Sequence, residues 1–364
     1  MTSTVGAVAV DSDRRAGRSR STWTGGRDGL GPAPTTVDPM RAEPRRGDAR
    51  VPTGPMPDRC TTPDGLGIAV YELGGRGPDL LLVHATGFCA APFGPLARSL
   101  DHRFRCWGLD LRGHGRSDRP SDGDFAWSGF ATDVLTVVDQ LGLDRPFGFG
   151  HSCGGAAVLM AEERRPGVFR SLYCFEPVVM PAGARARMAR RNPLAEGALR
   201  RRPSFPSAEV ALANYSSKPP FSDLDPEALE QYVAAGFELV PGPDGGDGRA
   251  VRLRCRREDE ADIFTAALDH LAFERLGAVS CPVTLCCGAD TDAFGVPLIE
   301  AAAAEVALSR TEVLPGMGHF GPLQDPAAVA ASVIRAFDAD SARESDGRTD
   351  AGDARGHVEG TPPS

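Results

Sequence analysis

Residues 148–155 read GFGHSCGG, which sets His151, Ser152 and Cys153 side by side within a run of glycines. All three side chains can act as nucleophile or base, yet one tight turn presents only one of them to a substrate. Gly150, Ser152 and Gly154 form Gly-x-Ser-x-Gly after an apolar run and before a helical pattern. A nucleophile on a sharp strand-to-helix turn needs neighbours without bulky side chains, because the backbone is strained and adjoining segments come close. This context assigns attack to Ser152, gives His151 a packing role and leaves Cys153 to lend its backbone N–H.

Serine at neutral pH needs a base to take its proton and a carboxylate to orient that base. Among seven histidines, His319 in LPGMGHFGPLQDP follows a strand and lies in a glycine-rich loop before the final helix, completing the order Ser, acid, His. His114 in DLRGHGRSD is expected to hold its turn, His102 and His270 to be surface or packing residues, and His357 to lack any framework. The acid is expected after the strand CPVTLCCG, where Asp290 and Asp292 compete; Glu176, ending the preceding strand in FEP, also reaches the histidine from its position. An oxyanion hole needs two N–H groups aimed at the developing charge. Cys153 at a helix start supplies one, and the ATGF segment the other, at Thr86 with Gly87 and Phe88 next in order. Phe88, Phe93, Trp127 and Phe320 are candidate pocket walls that core packing explains equally well.

Short apolar runs that alternate with helical patterns carry these residues. GIAVYEL alternates like an exposed strand; DLLLVH, FRCWGLDL, RPFGFGH, FRSLYCFEP, CPVTLCCG and TEVLPG look like further strands. FATDVLTVVDQLGL and CGGAAVLMAEERRPG have helical spacing, and DPAAVAASVIRAFDAD is an amphipathic helix with an Asp cap and Pro at its first position. The pattern predicts an α/β fold with a mostly parallel sheet covered on both faces. Residues 57–180 and 263–338 form its two parts. The interval 181–262, rich in Arg and Pro with the loop PGPDGGDG, breaks the rhythm and is expected to be a cap inserted over the strand ends. Residues 1–56 and 339–364 lack a sustained apolar period and are expected to be disordered. Met40 and Met56 are alternative starts within the first of these.

A chain of 364 residues with 41% hydrophobic content supports a substantial core. A net charge of −9 argues against general nucleic-acid binding. Lys218 is the only lysine among 40 basic residues, so arginine counts reflect composition rather than function. The arginines of 184–202 therefore suit a solvated cap helix better than an acidic-substrate site. Nine cysteines form neither paired CxxC units nor a Cys/His zinc spacing, which points to free thiols in a reducing cytoplasm and to no metal. No apolar run nears the roughly 20 residues of a membrane span, and no signal core follows the early arginines.

Taken together, LLLVHATGF, WGLDLRGHGRSDRP, GFGHSCGG and GMGHFGPLQDP resemble, in order, the oxyanion strand and loop, the following strand and turn, the nucleophile elbow and the histidine loop of the α/β-hydrolase superfamily. The resemblance spans about residues 57–338. It implies an eight-stranded sheet with a helical cap after the sixth strand. The usual His-Gly pair is His84–Ala85 here, and a Gly-x-x-Ser-Asp variant of the acid motif points to Asp292. The implied chemistry is attack by Ser152 on a carboxylic ester, thioester or lactone of a small molecule, with an acyl-enzyme hydrolysed through His319 and no cofactor. Carbon–carbon bond hydrolysis, acyl transfer or perhydrolysis on the same triad are alternatives, and a non-hydrolytic receptor is a further one. Dehalogenases and epoxide hydrolases carry aspartate at the elbow, so Ser152 argues against both.

Overall fold

The protein is described by a computed structural model over residues 57–241 and 249–353, with side chains to residue 344. The expectations for 1–56 and for His357 lie outside the described residues. The chain runs through β1 (Asp58–Thr61), β2 (Gly67–Gly75), β3 (Asp79–Val83), α1 (Gly94–Leu100), β4 (Arg105–Leu109), α2 (Trp127–Gln140), β5 (Phe147–His151), α3 (Cys153–Arg164) and β6 (Ser171–Phe175). A long inserted segment follows, with α4 (Ala182–Ala189), α5 (Pro193–Arg200), β7 (Ser204–Phe205), α6 (Ala208–Ser216), α7 (Pro226–Gly236), β8 (Phe237–Val240), β9 (Ala250–Leu253) and α8 (Arg257–Ala266). The fold closes with β10 (Val283–Gly288), α9 (Val296–Glu305), β11 (Ser309–Leu314), α10 (Gly321–Gln324) and α11 (Pro326–Asp353).

Eight strands form one sheet in the order β1-β2-β4-β3-β5-β6-β10-β11. β2 runs antiparallel to both neighbours, and every other pairing is parallel. Strand β3 shows how apolar alternation clothes both faces. Leu80 and Leu82 pack in a cluster with Leu96 of α1 and Val329 of α11, while Leu81 and Val83 pack with Val134 of α2, Val158 of α3 and Ile299 of α9. The register aligns His151 with Phe175, and Phe175 with Cys286, so β5, β6 and β10 end side by side.

Two expectations are revised. The 181–262 interval is not only helical: β7, β9 and β8 form a second, antiparallel sheet. FELV pairs with AVRL across the glycine-rich loop, Phe237 opposite Leu253. Its inward residues Phe205, Phe237 and Val251 are buried, so the strands form a local core. The tail also departs from expectation, because α11 continues past residue 338. Asp340 accepts from Ser171 Oγ at 2.6 Å and pairs with Arg310 at 2.6 Å, and Glu344 pairs with Arg170 at 2.9 Å. These polar ties offset the low apolar content of the extra turns.

Among the described residues, no helix is long and apolar enough to cross a membrane. All nine cysteines are buried free thiols. Burial pushes Cys106 and Cys153 up to about 12 and Cys287 up to about 11. Native protein is therefore expected to react negligibly with a chromogenic disulfide reagent at pH 8, and to yield nine thiols after unfolding in guanidinium. Rapid reaction of any thiol in the native state would contradict this packing.

Candidate active site

Ser152 follows the last residue of β5 and holds φ 55°, ψ −114°, a left-handed conformation that a non-glycine residue adopts only under constraint. Its N–H donates to Phe175 O at 2.9 Å, and its carbonyl accepts from Ala156 and Val178 N–H, each at 3.2 Å. The surrounding glycines are required by close approach. A methyl group on Gly150 would lie 2.5 Å from Gly154 O, and one on Gly154 would lie 2.1 Å from Val83 O. Cys153 opens α3 with its side chain fully buried, and its raised pKa keeps the thiol neutral.

His319 is one of the residues that line the cavity above this turn, together with Ser152. Its Nδ1 meets Glu176 Oε2 at 2.6 Å. The expected neighbour, Asp292, does not occupy this position: it is exposed, as is Asp290. The reason lies in the direction of the loop after β10. Thr291 Oγ1 and Phe294 N–H both donate to Glu176 Oε2, at 2.9 and 3.3 Å, which turns the intervening side chains outward. Gly288 N–H donates to Glu176 Oε1 at 3.0 Å. Glu176 is itself in a left-handed conformation, φ 46°, one residue beyond β6, with its N–H on Cys286 O at 2.7 Å and its side chain fully buried. With Nδ1–H directed at the carboxylate, the lone pair of a neutral imidazole sits on Nε2, the form that accepts a proton.

Two further contacts set the histidine loop. His151 does more than pack: its Nε2–H donates to His319 O at 2.8 Å, while its Nδ1 is buried without a partner. Gln324 Oε1 accepts from Gly318 N–H at 2.9 Å. Nothing in the sequence pattern marked these two roles, because a backbone partner leaves no signature.

The loop expected to supply an oxyanion donor follows β3. Gly87 N–H donates to His114 Nε2 at 3.0 Å and Phe88 N–H to Ala85 O at 3.2 Å. Among the described residues, the N–H groups of Thr86 and Cys153 carry no hydrogen bond. His114 Nδ1 donates to Arg112 O, and His84 donates through Nδ1 to Ala85 O while accepting Leu111 N–H on Nε2. The two imidazoles thus fasten the loop to the turn after β4. Gly87, at φ 80°, supplies the left-handed residue of a loop in which Ala85 follows His84.

Residues 80–332 match the profile described as "Alpha/beta hydrolase family". The chain belongs to the α/β-hydrolase family. The chain is 36% identical over 114 residues to N-formylmaleamate deformylase of Pseudomonas putida, covering 31% of this chain and 42% of that protein. It is 32% identical over 120 residues to 2-(acetamidomethylene)succinate hydrolase of Mesorhizobium japonicum, covering 32% of this chain and 43% of that protein. The matched stretch is thus less than half the length of either relative. The crystal structure of E-2-(acetamidomethylene)succinate hydrolase superposes with a TM-score of 0.66 at 20% identity, covering 78% of this chain and 99% of that one, a likeness of fold.

In this α/β-hydrolase the cavity over Ser152 has a volume of about 1580 Å³. Trp127 and Phe320 line it, as do Thr86, Met180 and Met188. Phe88 and Phe93 are not wall residues. Phe93 packs edge-on against Phe149 beneath the site, and Phe88 packs against Phe221 and Tyr232 of the inserted segment. Trp127 stacks on His270 at 4.7 Å and donates from Nε1 to Ile263 O. Among the described residues, no group of three or more His, Cys, Asp or Glu side chains could hold a metal ion.

Burial lowers His84 to about 4 and His114 to about 3, and holds His151 well below its ordinary value. These groups stay neutral in the folded state where the unfolded chain, near 6.5, takes up protons. Their contribution to stability therefore falls as pH drops from about 6.5 toward 4. The urea midpoint is expected to be lower at pH 5.5 than at pH 7.5; an equal or higher midpoint at pH 5.5 would contradict the neutral assignment.

Proposed function

We propose that the protein is a serine hydrolase of small acyl compounds in which Ser152 is the nucleophile, His319 the general base and Glu176 the orienting acid. The observation that carries this reading is the 2.6 Å bond from His319 Nδ1 to the buried Glu176 carboxylate, beside a strained elbow that opens on the same cavity. His319 takes the Ser152 proton as Oγ attacks the acyl carbon. The resulting imidazolium is stabilised by Glu176, and the oxyanion by the uncommitted N–H groups of Thr86 and Cys153, each worth about 3 kcal/mol in comparable sites. His319 returns the proton to the leaving group, then activates the water that releases the acid. The proposal replaces Asp292 by Glu176 and keeps the rest of the triad and both oxyanion donors.

The segment between β6 and β10 acts as the cap, since Met180, Met188, Leu194 and Phe264 contribute apolar lining to a cavity shared with Ser152. Carboxylic esters and lactones are the proposed substrates. The names of the two curated relatives add formyl and acetamido compounds to the assay panel.

A fluorophosphonate probe is expected to label wild type and not Ser152→Ala, with turnover of at least one member of a panel of p-nitrophenyl esters, lactones and N-acyl compounds. No labelling and no turnover would overturn the reading. Glu176→Gln is expected to lower kcat by about 10⁴-fold, as loss of an orienting carboxylate does elsewhere. Asp292→Asn is expected to stay within about twofold, because an exposed side chain away from the triad contributes little. The reverse order would return the acid to Asp292.

A further inference from the structure

The Thr86–Phe88 loop is held from two sides. From the core, His114 accepts the Gly87 N–H. From the inserted segment, a buried ion pair presses on the same residue. A methyl group on Gly87 would lie 2.6 Å from Glu260 Oε1 and 3.2 Å from Arg201 Nη1. Arg201, just after α5, pairs with Glu260 of α8 at 2.5 Å, their side chains 13% and 8% exposed. The guanidinium also donates to Tyr215 Oη at 3.1 Å and to Tyr232 Oη. Tyr232 in turn packs on Phe88, with ring centroids 5.0 Å apart. Helix α8 is itself tied to the core on either side of Glu260: Asp259 pairs with Arg119 at 2.8 Å, and Ile263 O accepts from Trp127 Nε1 at 3.0 Å.

A buried ion pair is weak evidence for stability, because desolvation offsets most of its attraction. What it does supply is a fixed geometry. The planar guanidinium, shared among a carboxylate and two phenols, admits one arrangement where an apolar contact admits several. That fixed surface meets the loop one residue after Thr86, whose N–H carries no hydrogen bond among the described residues.

We infer that Arg201 and Glu260 are positioning residues that buttress the oxyanion loop from the inserted segment and set the direction of the Thr86 N–H. The inference rests on the serine-hydrolase reading for its catalytic consequence, whereas its structural part is measurable without a substrate. Catalysis is sensitive to small misplacements of such donors, so a released loop lowers kcat while substrate binding in the large cavity is little changed.

The test uses Glu260→Gln and, to avoid leaving a buried charge unpaired, the double variant Arg201→Met with Glu260→Met. Circular dichroism and thermal unfolding first establish that each variant is folded. Hydrogen exchange of the peptide covering residues 84–90 is expected to accelerate about tenfold in folded variants, the amides of Gly87 and Phe88 being the reporters. With the best substrate of the panel, kcat is expected to fall tenfold to about a hundredfold with KM within about twofold. Unchanged exchange at 84–90 in a folded variant overturns the inference whether or not the wild type turns over a substrate. Faster exchange with unchanged kcat, or a loss confined to KM, overturns the positioning role. Failure of wild type to bind the fluorophosphonate probe counts against the hydrolase reading alone.

Discussion

The bond between His319 and Glu176 requires a buried carboxylate to be correctly aimed and its oxygens to be hydrogen-bonded, and much of the surrounding structure serves that requirement. Three donors other than the imidazole converge on Glu176: the N–H groups of Gly288 and Phe294 and the hydroxyl of Thr291. They come from the end of β10 and the loop after it, so the carboxylate is solvated by a neighbouring strand in place of water. This is possible only because β5, β6 and β10 end in register. Two consecutive strand ends then carry non-glycine residues in left-handed conformations, Ser152 and Glu176, and each is held by a hydrogen bond from its N–H to the next strand over.

The second constraint is the supply of N–H groups not already spent within the protein. Folded chains pair nearly all buried backbone donors. At the loop after β3, His114 and Ala85 take the donors of Gly87 and Phe88, while Thr86, which lines the cavity with Ser152, has an N–H without a hydrogen bond among the described residues. Neutral, buried His84 and His114 make this arrangement, each donating from one ring nitrogen and accepting at the other. A charged imidazole would have no lone pair for Gly87 or Leu111, so the burial that lowers both pKa values also preserves the acceptor nitrogens that this loop needs.

Much of this was legible in the sequence because local backbone demands leave local marks. The elbow advertises itself through glycines that nothing larger can replace, and His319 through its place after the last strand and before the capped helix at Asp325. Seven of the eight strands of the main sheet show as apolar runs; β1, with only Cys60 buried, does not. The acid was harder. A carboxylate at the end of a strand and one in the following loop are equivalent candidates until the direction of the loop is known, and that direction depends on Thr291 and Phe294 bonding inward. The small sheet of the inserted segment was hidden because FELV and AVRL are short and lie on either side of a glycine-rich loop, with little apolar run to mark them. The continuation of α11 depends on polar contacts from Asp340 and Glu344 to residues more than 100 positions away or on another strand, which composition cannot register.

The exposed position of Asp292 has a consequence for how this fold can diversify. With Glu176 at the end of β6 as the proposed acid, the segment from Asp290 to Ala293 on the rim of the cavity owes the chemistry only the Thr291 hydroxyl. Its outward side chains are then free to drift, lengthen or be exchanged without a matching change elsewhere. Selection for a new substrate can act on that rim while the proton-transfer machinery, anchored one strand away, is inherited intact.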